Sequence, residues 1–270
     1  MAMIEGIALF VPAYACLWMA MVAYVAHLVR GDEYIGRMGT GINGVGGSLW
    51  VMGLILRAVQ TGRWPVASLY EICLLFTSLT VAFYLLLERL AGTRAAGPFV
   101  LLIALLVGSY ALLLIPPSAR LATPLEPALR GLWFPIHALA TTLAYSAFAV
   151  ACGFGLLRLC GEGLRARGLP FPSPEAVDEL NSRAVAFGFP FLALGLVAGA
   201  WGAQIHLGRY WNWGAKETWT LVIGLIYAAF LHARATGDWS GRCLAFVSVL
   251  GFVVVLLVLL GTGEPADWLK

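Results

Sequence analysis

The sequence contains little charge for its length. Only 11% of its 270 residues are Asp, Glu, Lys or Arg, whereas 61% are hydrophobic, and soluble globular domains are about 25% charged. This composition excludes a water-soluble globule. The net charge is only +3, and the basic residues form no tract of the kind that nucleic-acid-binding domains present. We therefore expect no nucleic-acid partner.

Cysteine motifs are also lacking. The chain has five cysteines, all in or at the edges of apolar segments, and none belongs to a C-x-x-C or C-x-x-C-H motif. These spacings give no support for a zinc knuckle, a redox pair or a covalent haem attachment site. We expect buried free thiols in membrane helices.

Long apolar runs make up most of the chain. A helix needs about 20 apolar residues to cross the hydrocarbon core of a bilayer, and the stretches that qualify are roughly 5–29, 43–60, 69–90, 97–115, 135–160, 184–206, 218–235 and 243–262. No fixed-period repeat divides them. The sequence therefore predicts an all-α polytopic integral membrane helical bundle with about eight transmembrane helices, and a single membrane domain over residues 1–270.

The distribution of Lys and Arg between the loops predicts the orientation of the bundle. Ten of these residues follow spans one, three, five and seven, against seven on the other side, and the longest basic loop is 158–183. The positive-inside rule then places both termini outside, in a cell inner (cytoplasmic) membrane. Within the basic loop, Ser173 is expected to cap a separate surface helix of one to three turns that starts at Pro174.

Four histidines fall into two layers of this topology. His27 and His232 lie near the inner ends of spans one and seven, and His137 and His206 lie near the outer ends of spans five and six. Two imidazoles at each face could hold a haem by axial ligation. The alternative, that each histidine snorkels to the interface or bonds a backbone carbonyl, stays open on the layout alone, although ionisable residues within a membrane are functional by default.

The most specific segment is 201–219, WGAQIHLGRYWNWGAKETW, which is predicted to be a tryptophan-rich outer loop. An interfacial aromatic belt spreads over all helix ends, whereas four of the ten tryptophans are concentrated here. Flat indoles stack on a planar ring system and lysine pairs with carboxylates, so a haem suits the segment better than a quinone or a lipid headgroup. The candidate binding residues are Trp201, Tyr210, Trp211, Trp213, Lys216 and Trp219.

Three motifs resemble the membrane cytochrome c assembly family, which includes CcsA/ResC and CcmC-type proteins. GRYWNWGAKETW (208–219) is similar to the tryptophan-rich WWD loop of that family, and IHALATTLAYSAF (136–148) to the segment with its outer haem-ligand histidine. GRWPVASLYE (62–71) resembles an outer-loop element that ends in Glu71. This carboxylate could be a proton or propionate partner, but we expect it to be solvated or paired with Arg63. The resemblance covers most of the chain from about residue 60 to 235.

The resemblance implies an integral-membrane protein of cytochrome c biogenesis that binds haem and transports it from the cytoplasmic side to the outer site. It implies that His137 is an outer ligand of haem b, that His232 is an inner-leaflet ligand, and that the tryptophans and Lys216 form the outer haem platform. From topology alone, His206 and His27 are expected to complete the two pairs. The family also implies a CcsB/ResB-type membrane partner and presentation of haem to apocytochrome c, as part of a cytochrome c synthase.

Departures from the family signature keep an alternative open. Gly214 and Ala215 stand where the signature has Asp and Pro, Leu207 stands where a Trp precedes Gly208, and residues 251–270 lack the second outer histidine. HemX-like proteins share the eight-span layout, so a haem-binding regulator of haem biosynthesis without ligation activity is the alternative. A metal-free transporter of an amphipathic solute is a third, less favoured interpretation.

Overall fold

The computed structural model describes residues 2–121, 129–165 and 171–261, without the side chains of residues 2–7, 162 and 164. In this part of the chain all regular structure is helical. The long helices are α1 Ala2–Arg30, α2 Glu33–Thr61, α3 Leu69–Ala91, α4 Gly97–Ser109, α5 Trp133–Arg165, α6 Pro174–Leu207, α7 Ala215–Thr236 and α8 Gly241–Gly261. A π-helical turn, Tyr110–Leu114, extends α4, and a 3-10 turn, Pro117–Arg120, follows it.

The predicted polytopic helical bundle is confirmed. Over the described residues, eight helices are long and apolar enough to cross a membrane. Consecutive helices run in alternate directions, so α3, α5 and α7 begin at the end of the bundle where α2, α4, α6 and α8 finish. We call this the upper end and the opposite one the lower end.

Helix α5 forms the centre of the bundle. It packs against α3, α4, α6 and α8, whereas α1 packs mainly against α2 and α4. Glycines allow the close approach of α6 to α5, because a Cβ at Gly188 would lie 2.9 Å from Phe148 and 3.1 Å from the Ala144 carbonyl oxygen. Small residues at such crossings let the helix backbones approach closely, and in a bilayer this van der Waals packing drives association in place of the hydrophobic effect.

Two helices begin earlier than the apolar runs predict. The separate surface helix expected at Pro174 is wrong, because α6 continues without a break from Pro174 to Leu207. Its predicted cap is confirmed, since the Ser173 hydroxyl accepts a hydrogen bond from Ala176 N. Similarly, α2 begins at Glu33, where the Asp32 carboxylate accepts from Tyr34 N. Both extensions are polar first turns that a hydropathy window does not detect.

The predicted loops are shorter than expected. Residues 201–207 are the last turns of α6 and 215–219 the first turns of α7, so only 208–214 is non-helical within the tryptophan-rich segment. The predicted loop 158–183 is helical over most of its described length, and its residues 166–170 lie outside the described residues. Residues 262–270, where the second outer histidine of the family would be sought, also lie outside them.

Buried polar groups connect the helices of the α1–α4 half near the lower end. The Glu88 carboxylate accepts hydrogen bonds from Tyr24, at 2.6 Å, and from Thr40, and it lies 3.6 Å from Arg94 Nε. Asn43, one turn further into the bundle from Thr40, is fully buried, and among the described residues neither of its amide atoms has a partner within hydrogen-bonding geometry. This half therefore contains both a satisfied polar cluster and an unsatisfied buried amide.

Candidate functional site

A cavity of about 460 Å³ lies at the upper end, between α3, α5, α6, α7 and α8. Its size falls in the range of about 300–1,000 Å³ that is typical of small-molecule sites. Apolar and aromatic side chains form most of its wall, and a few polar groups converge on it, including His137, Tyr210, Lys216 and Glu217. A large, mostly apolar molecule with a small number of polar substituents suits such a lining.

His137 occupies the first turns of α5 and is held against α6. Its Nδ1 lies 2.7 Å from the Gly195 carbonyl oxygen. A carbonyl oxygen only accepts, so Nδ1 carries the proton, and in the neutral ring the lone pair is then on Nε2. Such a bond fixes the tautomer and orientation of an imidazole that binds a metal.

Glycines of α6 make the room in which the imidazole lies. One turn beyond Gly195, a Cβ at Gly199 would be 2.9 Å from Nδ1 and 3.0 Å from Cε1 of His137. Real Cβ atoms rarely approach so closely, so any larger residue at this position would displace the ring. The sequence thus positions His137 both by the hydrogen bond to the Gly195 carbonyl and by the space left where Gly199 has no side chain.

Trp133 forms a wall that the sequence analysis missed. Its ring lies directly on the backbone of α6, because a Cβ at Gly202 would be 2.2 Å from its Cε3 atom. The ring centroid is 6.5 Å from that of His137 and 5.7 Å from that of His206. The available signal was its position one helical turn before His137, which places both side chains on one face of α5.

The loop 208–214 covers the cavity and is tied to the first turn of α7. Glu217 Oε2 accepts hydrogen bonds from Asn212 N at 2.8 Å and from Gly214 N at 3.3 Å. Between them, Trp213 has a left-handed backbone with φ of 55°, a conformation that costs roughly 1–2 kcal/mol for a residue with a Cβ. The Glu217 carboxylate therefore stabilises the loop with Trp213 in a backbone conformation that is unfavourable on its own.

The structure separates the predicted upper-end residues into two groups. The residues that line the cavity are His137, Tyr210, Trp211 and Lys216. The residues that are exposed and do not line it are Trp201, His206, Trp213 and Trp219. The two upper histidines stand next to the same Trp133 ring but do not share the cavity, so haem ligation by His206 stays a prediction that needs a local rearrangement.

The lower-end histidines are not brought together. His27 Nδ1 lies 2.9 Å from the Asp32 carbonyl oxygen, on a helix that packs mainly against α2 and α4. His232 is exposed on α7, which packs against α6 and α8. Within the described residues no group of three or more His, Cys, Asp or Glu side chains could hold a metal ion. A lower-end haem stays a prediction.

A buried ion-pair network fixes the cavity wall that α3 contributes. Glu71 is fully buried, and its carboxylate contacts Arg57 Nε and Arg63 Nη1, each at 2.8 Å, and accepts from Ala67 N at 2.8 Å. The predicted pairing with Arg63 is confirmed, whereas solvation of Glu71 is wrong. The network shapes the segment from Arg63 to Glu71, in which Val66 faces the cavity.

One family of known proteins matches most of the sequence. The family model described as "Cytochrome C assembly protein" matches residues 66–264, a range that includes every residue of the cavity lining. The cytochrome c biogenesis protein CcsA of Guillardia theta is 33% identical over 226 residues, covering 76% of this chain and 75% of that protein. CcsA of Synechococcus elongatus is 30% identical over 302 residues, covering 94% and 91%.

A solved structure has a similar fold. The cytochrome c heme lyase CcmF superposes with a TM-score of 0.75 at 16% sequence identity, over 100% of this chain and 48% of that one. The chain thus spans about half the length of the lyase, and at this identity the likeness shows the fold alone.

Proposed function

Because the chain belongs to the cytochrome c assembly protein family, we propose that it binds haem in the upper-end cavity and presents it for attachment to an apocytochrome c. Its spans make it a multi-pass membrane protein, and its relatives give it a role in cytochrome c maturation. Haem b is here the substrate that is handled, and the cavity is the place where it is held.

The observation that carries the proposal is the fixed His137 ring in the cavity wall. The bond from Nδ1 to the Gly195 carbonyl leaves the Nε2 lone pair as the one that ligates iron. Trp133 and Trp211 supply flat aromatic walls, and Lys216 supplies a cation for a propionate. The residues present therefore fit a haem, and we assign His137 as its principal protein ligand.

The remaining candidate ligands have different roles in the proposal. His206 joins the coordination of the upper haem only if the last turn of α6 or the Trp133 side chain moves. His232 lies on α7 and His27 on α1, and these helices do not pack together. They hold haem at the lower end only if a partner protein, or the haem itself on the lipid-facing surface, bridges the two helices. The exposed tryptophans Trp201, Trp213 and Trp219 meet the client or partner, while Trp211 and Tyr210 contact the haem.

The proposed orientation places the upper end outside an inner (cytoplasmic) membrane. The excess of Lys and Arg in the lower-end loops supports it. In this orientation the loop 208–214 faces the compartment in which an apocytochrome c waits for haem. The described upper-end loops are short, so a CcsB/ResB-type membrane partner is proposed to hold the client. The chain then contributes proximity, since a haem in fixed orientation meets the client thiols at high effective concentration.

The first experiment is the visible spectrum of the purified protein in mild detergent, oxidised and reduced. We expect a haem spectrum that His137→Ala weakens strongly and that His206→Ala changes less, because only His137 lines the cavity. His232→Ala and His27→Ala test the lower end separately. A protein that is colourless from haem-replete cells and takes up no added haem would refute the proposal.

A second assay separates haem attachment from regulation. The chain is expressed with a CcsB/ResB-type partner and an apocytochrome c, and covalent haem is detected by staining of denatured gels. Covalent cytochrome c that depends on His137 supports the proposed function. A haem-loaded protein that yields no covalent product, while the level of haem synthesis changes, favours the HemX-like regulator.

A further inference from the structure

Three arginines and one glutamate form a cluster at the upper end of the α2–α4 half, apart from the cavity. We propose that this arginine cluster, Arg57, Arg63 and Arg120 with Glu71, binds the phosphate of an anionic phospholipid in the leaflet at the upper end. The proposal is independent of haem binding.

The charges of the arginine cluster do not balance. Glu71 is paired with both Arg57 and Arg63, whose side chains are only 7% and 16% exposed. Arg120 adds a third guanidinium, which donates through Nε to the Ile115 carbonyl oxygen at 2.7 Å. In residues 2–121, 129–165 and 171–261 no other carboxylate pairs with these three arginines.

The cluster is held together as a unit. Arg57 Nη2 donates to the Arg120 carbonyl oxygen at 2.9 Å, which fixes the 3-10 turn over the end of α2. Two positive charges in excess, largely shielded from water, are costly unless an anion compensates them. The structure therefore requires a counter-charge at this point.

A buried hydroxyl adds a donor beside the guanidiniums. Tyr70 is 1% exposed, and its hydroxyl has no hydrogen-bond partner in the part of the chain that the structure describes. Its ring lies 5.1 Å from Arg57 Cζ. An O–H with no partner among the described residues, next to the Arg57 guanidinium, matches an acceptor oxygen of a phosphate.

Helix geometry separates this cluster from the cavity ligand. Leu69 and Ile72 of α3 line the cavity. Successive helical residues advance by about 100°, so Tyr70 and Glu71 point to the other side of α3, where Arg57 of α2 meets them. The carboxylates of a molecule in the cavity are thus on the wrong side of α3 to supply the counter-charge.

The surface below the cluster suits acyl chains. Leu113 and Leu114 are exposed on the π-helical turn, which precedes the 3-10 turn that ends at Arg120. Trp64, also exposed, lies beside Arg63 at the level where tryptophan prefers the headgroup region. The acyl chains of a lipid whose headgroup lies at the cluster would contact these exposed leucines.

The test uses the full-length protein, delipidated in mild detergent and titrated with phosphatidylglycerol, with bound lipid counted by native mass spectrometry. We expect one tightly bound molecule, and binding weaker by about ten-fold or more in Arg120→Gln and in Tyr70→Phe. Arg209→Gln, which removes an exposed upper-end charge, should bind like the unaltered protein. Tyr70→Phe keeps the shape of the side chain, so its effect does not depend on unfolding.

Three results would overturn the proposal. Equal retention of phosphatidylglycerol by Arg120→Gln and Arg209→Gln would remove the cluster from lipid binding. Binding of inorganic phosphate that depends on Arg120, with no lipid retained, would show a free-phosphate site. Lipid affinity that appears only after Glu126→Gln, a change outside the described residues, would show that the chain supplies its own counter-charge.

Discussion

Gly199→Ala is expected to impair haem binding without unfolding the protein. The new Cβ would lie 2.9 Å from Nδ1 and 3.0 Å from Cε1 of His137. The α6 backbone is held by its close packing against α5, so the imidazole has to move away from α6. That movement lengthens or breaks its hydrogen bond to the Gly195 carbonyl.

The expected effects on stability nearly cancel. Alanine in place of a helical glycine stabilises by about 0.5–1 kcal/mol, and the loss of one ordinary hydrogen bond costs about 0.5–1.5 kcal/mol. Haem affinity has no such compensation, since removal of the bond that orients a metal-binding histidine typically weakens metal binding by about 10–100-fold. A folded protein with much weaker haem binding is therefore the expected outcome.

The assay measures both quantities on the same preparation. Haem is titrated into the purified protein and followed by its absorbance, and thermal unfolding is followed by circular dichroism. Gly224→Ala is the matched control, because the atom nearest to its Cβ would be 3.9 Å away and α7 gains the same helix propensity. Equal haem affinity in the two variants would show that Gly199 does not position His137, and the reasoning about the site would fail.

Three further substitutions test other parts of the structure. Glu71→Gln leaves the Arg57 and Arg63 guanidiniums without their carboxylate and should destabilise the folded protein by about 3–5 kcal/mol. Glu33→Gln, at an exposed ion pair, is the control and should cost less than about 1 kcal/mol. The thermal midpoints of the two variants are compared, and equal shifts would contradict the buried network. Glu217→Gln weakens the bonds to the loop 208–214 and should speed hydrogen exchange there, with unchanged exchange as the opposing result. Asn43→Leu removes a buried amide that has no hydrogen-bond partner among the described residues and should raise the thermal midpoint, since such a group costs about 1–3 kcal/mol. A lower midpoint would show that the amide is hydrogen-bonded.

The membrane fold could be predicted because the hydrocarbon core of a bilayer strongly constrains the sequence of each span. Backbone groups in a bilayer must be satisfied within the helix, so every span is a long apolar run. Where a helix begins in polar sequence, this signal is absent. The first turns of α6 at Pro174 and of α2 at Glu33 depend on the caps Ser173 and Asp32 and on packing, which a hydropathy pattern does not contain.

The site was predictable in its composition but not in its geometry. His137 and Trp211 were identified from motifs, and both line the cavity. His206 was grouped with them by depth alone, yet its neighbours Ala203 and Leu207 line the cavity while His206 does not. A rotation of about 100° per residue decides such cases, and sequence gives depth more readily than rotation.

Helix α6 connects the lower end of the bundle directly to the candidate site at the upper end. Its 34 residues form a helix about 51 Å long with Pro190 inside it, much longer than a hydrocarbon core of about 30 Å. Its lower part is tethered by the pairs of Asp178 with Arg158 and of Glu179 with Arg234, and its upper part carries the carbonyl that holds His137. The contacts that tether the lower end and the carbonyl that orients the imidazole therefore belong to one helix, on either side of Pro190.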